Sequence, residues 1–210
     1  MHLARRAWCR TYQTVFRIAL PILPYTEPHI LEHAEDVPAV FQKRSIQQVL
    51  IVTDPGIARL GLTTPLERAL ASKGIGVTVY AETRANPTVS NVEQAAALYR
   101  ENDCRAIIGF GGGSAMDCAK GVGTRIAQPN KPINKMRGLL RVHRLLPLLI
   151  AVPTTAGTGS EVTLAAVITD DETHYKYPIN DFVLIPRFAV HDPEFTRGLP
   201  ASITGQTGMD

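Results

Sequence analysis

Two clusters of small and hydroxylic residues carry the chemistry most legible in this chain. The first is Gly111-Gly112-Gly113-Ser114, which follows the apolar run Ala106-Ile107-Ile108-Gly109-Phe110 and leads into Ala115-Met116-Asp117-Cys118-Ala119-Lys120. Glycines permit positive φ and let a backbone approach a ligand closely. Ser114 is placed to cap the helix that follows, and Asp117, three residues on, resembles the acidic member of a capping box. A helix N-terminus beside glycine amides is an anion site that suits a pyrophosphate. The run is neither GxGxxG nor a P-loop, and a tight strand-to-helix turn without a ligand would use the same residues.

The second cluster follows the apolar run Leu148-Leu149-Ile150-Ala151-Val152. It reads Pro153-Thr154-Thr155-Ala156-Gly157-Thr158-Gly159-Ser160-Glu161-Val162-Thr163. Hydroxyls and free amides at a strand end suit the ribose hydroxyls, phosphate oxygens and carboxamide of a dinucleotide. The alternative is a Gly/Thr-rich surface loop. Farther on, Lys176 could offer a cation to a ribose or phosphate, although a lone lysine is usually solvated.

The elements that must position these clusters alternate. Val49-Leu50-Ile51-Val52 is continuously apolar, as in a strand buried on both faces. Thr53-Asp54-Pro55-Gly56 breaks it, and Leu66, Ala69 and Leu70 follow at helical spacing, closed by Gly74 and Gly76. Val77–Tyr80 reads as a strand, with Ser90 capping a helix over Asn91–Glu101 whose inner face is Val92, Ala95, Ala96 and Tyr99. Ala165–Thr169 reads as a further buried strand. Strand and helix alternating with short links predicts an α/β fold with a parallel, Rossmann-like sheet. Ligands of such sheets sit beyond the carboxyl ends of the strands, which points to the loops after Val52, Phe110 and Val152.

Bulk composition excludes several function classes. The 210 residues are 45% hydrophobic and 20% charged, ordinary for a globular protein. A net charge of +3, from 22 basic and 19 acidic residues, and only 6% aromatics argue against nucleic acid. The basic stretch from Gln128 to Pro147 reads as a solvated loop, with a phosphate patch as the alternative. Arg5, Arg6 and Arg10 precede an apolar run from Val15 to Leu23 that Arg17 and Pro21 interrupt. It is too short to cross a bilayer, lacks signal-peptide features, and reads as an edge strand or subunit-contact arm. The widely spaced Cys9, Cys104 and Cys118 contain no CxxC pair and favour a reducing cytosol. His29-Ile30-Leu31-Glu32-His33 matches an HxxEH zinc pattern, but Pro28 precedes it and no third ligand is evident, so it reads as an exposed amphipathic helix. His143, His174 and His191 are scattered.

Together, Gly111–Ser114 with Asp117 and Lys120, Pro153–Thr163, Lys176, Asp192-Pro193 and Thr207-Gly208-Met209-Asp210 resemble the iron-containing, or group III, alcohol dehydrogenase family. The resemblance implies a dinucleotide-binding α/β domain, here 1–197, and the first residues, 198–210, of an all-helical domain that holds catalytic iron or zinc. It implies NAD as cofactor, an alcohol or aldehyde substrate, and a homo-oligomeric full-length enzyme. By the same resemblance Asp54 meets the adenosine ribose, where a carboxylate disfavours the 2′-phosphate of NADP. Asn86 lies beside the cofactor. Gly112, Gly113 and Ser114 form the pyrophosphate turn with Asp117 nearby. Thr154, Thr155, Thr158 and Thr163 surround the phosphates and nicotinamide ribose, Lys176 is a cofactor lysine, and Asp210 is the first metal ligand. The family's histidine ligands follow that aspartate, and one carboxylate cannot hold a metal that needs about four ligands. This chain is therefore expected to bind NAD(H) and to turn over little alcohol. A non-catalytic NAD-binding fragment, glycerol dehydrogenase and dehydroquinate synthase are the alternative assignments.

Overall fold

A computed structural model describes residues 10–11, 13–14, 25–199 and 201–209. The arm expected over Val15–Leu23, Cys9 and the expected metal ligand Asp210 lie outside the described residues.

The short apolar runs become the centre of a parallel sheet. Among the described residues its strands are β1 (His29–Leu31), β2 (Gln48–Val52), β3 (Gly76–Tyr80), β4 (Ala106–Gly111), β6 (Leu148–Pro153) and β9 (Phe188–Val190), in the order β1-β9-β6-β4-β2-β3. All pairs are parallel, with Ile51 opposite both Val79 and Ile108, and Ile108 opposite Ile150. Helices cover both faces: α1 (Val37–Gln42), α2 (Pro55–Arg59) and α3 (Thr64–Ser72) on one, α4 (Val89–Glu101) and α5 (Gly113–Ala127) on the other. Strand side chains alternate between faces. Leu50 and Val52 therefore pack with Val92, Ala96 and Val122 of α4 and α5, while Val49 and Ile51 pack with Phe41, Leu66 and Leu70 of α1 and α3. Every residue of β4 is buried, which is why its sequence shows no polar alternation.

Beyond α5 the chain builds a second, smaller sheet: β5 (Gly138–Leu139), β7 (Ala165–Thr169) and β8 (Lys176–Asn180), in the order β5-β8-β7. Here β7 runs antiparallel to β8. The strand expected over Ala165–Thr169 exists but belongs to this mixed sheet, and Val167 is exposed rather than buried. The inner residues Ala166, Ile168, Tyr177 and Ile179 join the α4–α5 core. A Cβ on Gly121 of α5 would stand 2.8 Å from Val92 Cγ2 and 3.2 Å from Ile168 Cδ1, so glycine is what lets α4, α5 and β7 approach. The chain finishes with α6 (Glu194–Arg197) and α7 (Ala201–Thr207).

Several local expectations are corrected. Thr88, not Ser90, caps α4: its hydroxyl accepts from Asn91 N at 3.3 Å while Asn91 Oδ1 accepts from Thr88 N at 3.2 Å, a reciprocal capping box. Ser90 sits inside the first turn, where its N–H donates to Asp171. Gly112 is the residue at the N-cap of α5, with no side-chain cap, so Ser114 lies within the helix. Gly74 takes φ +72° after α3, but Gly76 opens β3 instead of closing the helix. His29–His33 is not helical. It is edge strand β1 and a turn, so strand alternation and the chain bend replace the shared face that an i, i+4 histidine pair needs.

Candidate functional site

Strand order reverses between β2 and β4: the chain places β3 on one side of β2 and β4, β6 and β9 on the other. Loops leaving neighbouring strands there diverge and open a crevice. A cleft of about 1190 Å³ occupies that place. Its floor comes from the residues following β2, β3, β4 and β6, and α6, Leu199 and Thr207 close one side.

Asp54 ends the β2 loop and caps α2. Its Oδ1 accepts from Gly56 N at 2.8 Å and Ile57 N at 3.0 Å. Its Oδ2 is turned toward Gly111, 3.4 Å from where a Cβ on that glycine would stand. Gly111 has φ +144°, and its Cβ would also lie 2.9 Å from Ala115 Cβ, so both conformation and space demand glycine. Gly112 and Gly113 then bring the first turn of α5 against the Thr155 and Thr158 side chains: an added Cβ would meet Thr155 Oγ1 at 3.4 Å and Thr158 Cβ at 3.5 Å. The 15-residue helix α5 thus points its unpaired N–H groups and positive dipole end into the cleft.

Opposite that turn, Thr154 N donates to Gly111 O at 3.0 Å and locks the two loops together. The Oγ1 atoms of Thr155 and Thr158 are buried and have no hydrogen-bond partner. An unmade hydrogen bond on a buried hydroxyl costs about 1–3 kcal/mol. Both residues line the cleft, so a polar ligand in it would meet them.

Asp54, Gly112, Gly113, Ser114, Thr154, Thr155 and Thr158 all line this cleft. Asn86 and Lys176 do not line it but meet at its rim, beside Ser114: Lys176 Nζ donates to Asn86 Oδ1 at 2.9 Å, and Asn86 N donates to Ser114 Oγ at 3.4 Å. Asn86 takes φ +61°, a left-handed turn that asparagine tolerates. Asp117 and Thr163 are not lining residues. Asp117 Oδ2 accepts from Val167 N at 3.0 Å and ties α5 to β7; burial pushes its carboxyl above the usual range, against the pull of that hydrogen bond and of Lys120. Thr163 serves Lys120, whose fully buried ammonium donates to Thr163 O at 2.7 Å, Thr163 Oγ1 at 3.1 Å and Ala165 O at 2.9 Å. Burial lowers that amine to about 8, opposed by Asp117 and Glu161.

From the loop after β3, sequence reasoning took Asn86 but missed the four residues that line the cleft. Glu82, Thr83, Arg84 and Ala85 line the cleft beside Asp54. The carboxyl-end rule that singled out the other three loops applies equally to Tyr80, so the signal was available. The apolar wall of Ile57, Leu60 and Leu62 was also missed, because only a fold shows that the helix after a strand flanks its loop. For a metal the described residues do not suffice. Among the described residues no group of three His, Cys, Asp or Glu side chains could hold an ion, and His33 meets only Asp192, at 4.0 Å.

A doubly wound parallel sheet with a glycine turn and a helix N-terminus at its switch point defines a nucleotide-binding α/β domain. The family model for iron-containing alcohol dehydrogenases matches residues 30–193, and the chain belongs to that family. Alcohol dehydrogenase 4 of Schizosaccharomyces pombe is 41% identical over 164 residues, 78% of this chain and 39% of that protein. The crystal structure of 1,3-propanediol oxidoreductase superposes with a TM-score of 0.83 at 33% identity, over 89% of this chain and 50% of that one. Sulfoacetaldehyde reductase from Bifidobacterium kashiwanohense, solved in complex with NAD+, gives 0.77 at 31% identity over the same shares. The chain therefore spans half or less of the length of these relatives.

Proposed function

We propose that the cleft binds NAD(H), and that residues 1–197 are the dinucleotide-binding domain of a metal-assisted alcohol or aldehyde oxidoreductase whose helical domain begins within 198–210. The buried, unpartnered hydroxyls of Thr155 and Thr158, facing the N-terminus of α5 across the cleft, carry this reading. A pyrophosphate at Gly112-Gly113 would take the free N–H groups of α5. The two threonines would donate to phosphate or ribose oxygens, and the Asn86–Lys176 pair would cover the same ligand from the rim. The Asp54 carboxylate favours ribose hydroxyls and repels a 2′-phosphate, hence NAD over NADP.

Bound NAD supplies the hydride acceptor; the residues of this chain bind it, orient it and keep water from the threonine side. No chemical step is assigned to a metal within the described residues, which do not provide its ligands. Hydride transfer between an alcohol or aldehyde and NAD, in a homo-oligomer, is proposed for a longer protein of the length of these relatives. The buried, unpaired Cys104 and Cys118 favour the cytosol as its setting.

Titration of the 210-residue chain with NADH, read by the fluorescence of the bound nicotinamide, tests the binding. Saturable NADH binding with weaker NADPH binding is expected. Absence of saturation into the millimolar range overturns the proposal. Brisk alcohol oxidation by this chain alone would overturn the reading that the histidine ligands of the metal lie outside it.

A further inference from the structure

A second pocket, of about 420 Å³, lies on the small sheet and shares no lining residue with the dinucleotide cleft. Lys135, Arg137 and Arg141 supply cations from the segment leading through β5, and Asp170, Thr173, Tyr175 and Tyr177 complete it from the β7–β8 hairpin. Tyr175 immediately precedes β8, and strand alternation puts Tyr177 on the buried face of β8 and Lys176 on the other.

The segment is anchored, not loose. Ile133, Met136 and Val142 are fully buried. Leu140 N donates to Asn180 O at 2.8 Å, Val142 N to Asp181 Oδ2 at 3.0 Å, and Lys131 Nζ to Arg141 O at 2.8 Å. Arg137 and Arg141 thus leave a backbone held on both sides of β5. Neither guanidinium, nor the Lys135 ammonium, has an ion-pair partner among the described residues. Asp170, the one carboxylate in the lining, already spends Oδ1 on Glu172 N at 3.1 Å and Thr173 N at 2.9 Å.

The second, independent observation is Tyr177. Its side chain is 3% exposed, and its buried hydroxyl has no hydrogen-bond partner. Burial pushes the phenol up to about 12, so at neutral pH it keeps its proton and can donate. Three cations against one carboxylate, plus phenol and amide donors, match a dianion with three acceptor oxygens. The volume is in the lower part of the roughly 300–1,000 Å³ range of small-molecule sites, more than a bare ion needs, and Tyr175 stands 62% exposed at the rim as a face for an organic substituent.

We propose that the pocket between Arg137, Arg141 and Tyr177 binds a small phosphate monoester, separately from the dinucleotide cleft. The test is a series of amide NMR titrations of the full chain at constant ionic strength with phenyl phosphate and inorganic phosphate. Saturable shifts of the amides over 134–141 and 173–177 with phenyl phosphate are expected, with inorganic phosphate weaker. R137Q/R141Q should weaken phenyl phosphate more than about thirtyfold, and Y177F, which removes only the hydroxyl, by about tenfold. Any phosphate response at Gly111–Ser114 should be unchanged in these variants. Shifts confined to Gly111–Ser114, non-saturating shifts, or a wild-type response in Y177F overturn the proposal. Inorganic phosphate binding as tightly as the ester overturns the ester assignment.

Discussion

Gly112→Ala separates binding from folding more cleanly than any other single change in the cleft. Gly112 has φ −78° and ψ −172°, extended backbone that alanine adopts without strain. Its new Cβ would rest 3.4 Å from Thr155 Oγ1 and 3.6 Å from Thr155 Cγ2, ordinary contact distances. Losing glycine at an N-cap costs up to about 1 kcal/mol, and the restricted unfolded chain returns about 0.4–1 kcal/mol. The melting temperature should therefore move by less than roughly 4 °C. Ligand binding should respond differently, because the methyl group stands between the helix N–H groups and the threonine hydroxyls, where the backbone must come close to a pyrophosphate. Loss of one charge-assisted hydrogen bond is worth about 1.5–3 kcal/mol, or roughly ten- to a hundredfold in Kd. Fluorescence titration with NADH alongside a thermal melt measures both quantities. A Kd within twofold of wild type, with the fold intact, would refute the placement of the pyrophosphate at this turn.

Other substitutions test the remaining parts. Asp54→Ser keeps a cap for α2 but removes the carboxylate, so the ratio of NADPH to NADH dissociation constants should fall at least about tenfold, with little change in the melt. Gly121→Ala forces a methyl group against Val92 and Ile168; overpacking of this kind costs about 1–3 kcal/mol, and the melting temperature should drop by roughly 2–12 °C. Lys120 gives a pH signature. Its folded pKa of about 8 lies below the ordinary lysine value of 10.5, so between these values the unfolded chain binds more protons and stability rises with pH. The contribution should grow by about 2 kcal/mol from pH 8 to pH 10. Denaturant unfolding of Lys120→Met beside wild type should show that difference, and parallel curves would contradict it.

Strands β2, β4 and β6 were readable because burial on both faces leaves continuous apolar runs, β3 because its β-branched and aromatic residues suit a strand even at a half-exposed sheet edge, and the glycine turn because its composition has few other uses. The edge strand β1 and its neighbour β9 were not readable: three residues each, they are held by pairing with neighbours and not by their own pattern. Strand β8 was obscured by Pro178, since a proline inside a short run argues against a strand. Ser114 looked like a cap because its residue type suits one, but Gly111 at φ +144° starts the helix two residues earlier. Asp117, Thr163 and Lys120 sit in the motifs that drew attention to them, yet they tie α5 to β7. Motif membership alone could not tell a ligand contact from a strut.

That strut has an entropic consequence. The segment 154–163 begins where Thr154 N is bonded to Gly111 O and ends where Lys120 grips Thr163. Gly111 and Lys120 belong to one continuous piece, the turn and helix that face the cleft. The loop is therefore closed at both ends on the frame it must register against, and its conformational freedom is lost during folding instead of during association. A dinucleotide meeting Thr155 and Thr158 finds them already arranged, so the affinity of this half for its ligand should survive without the rest of a longer chain.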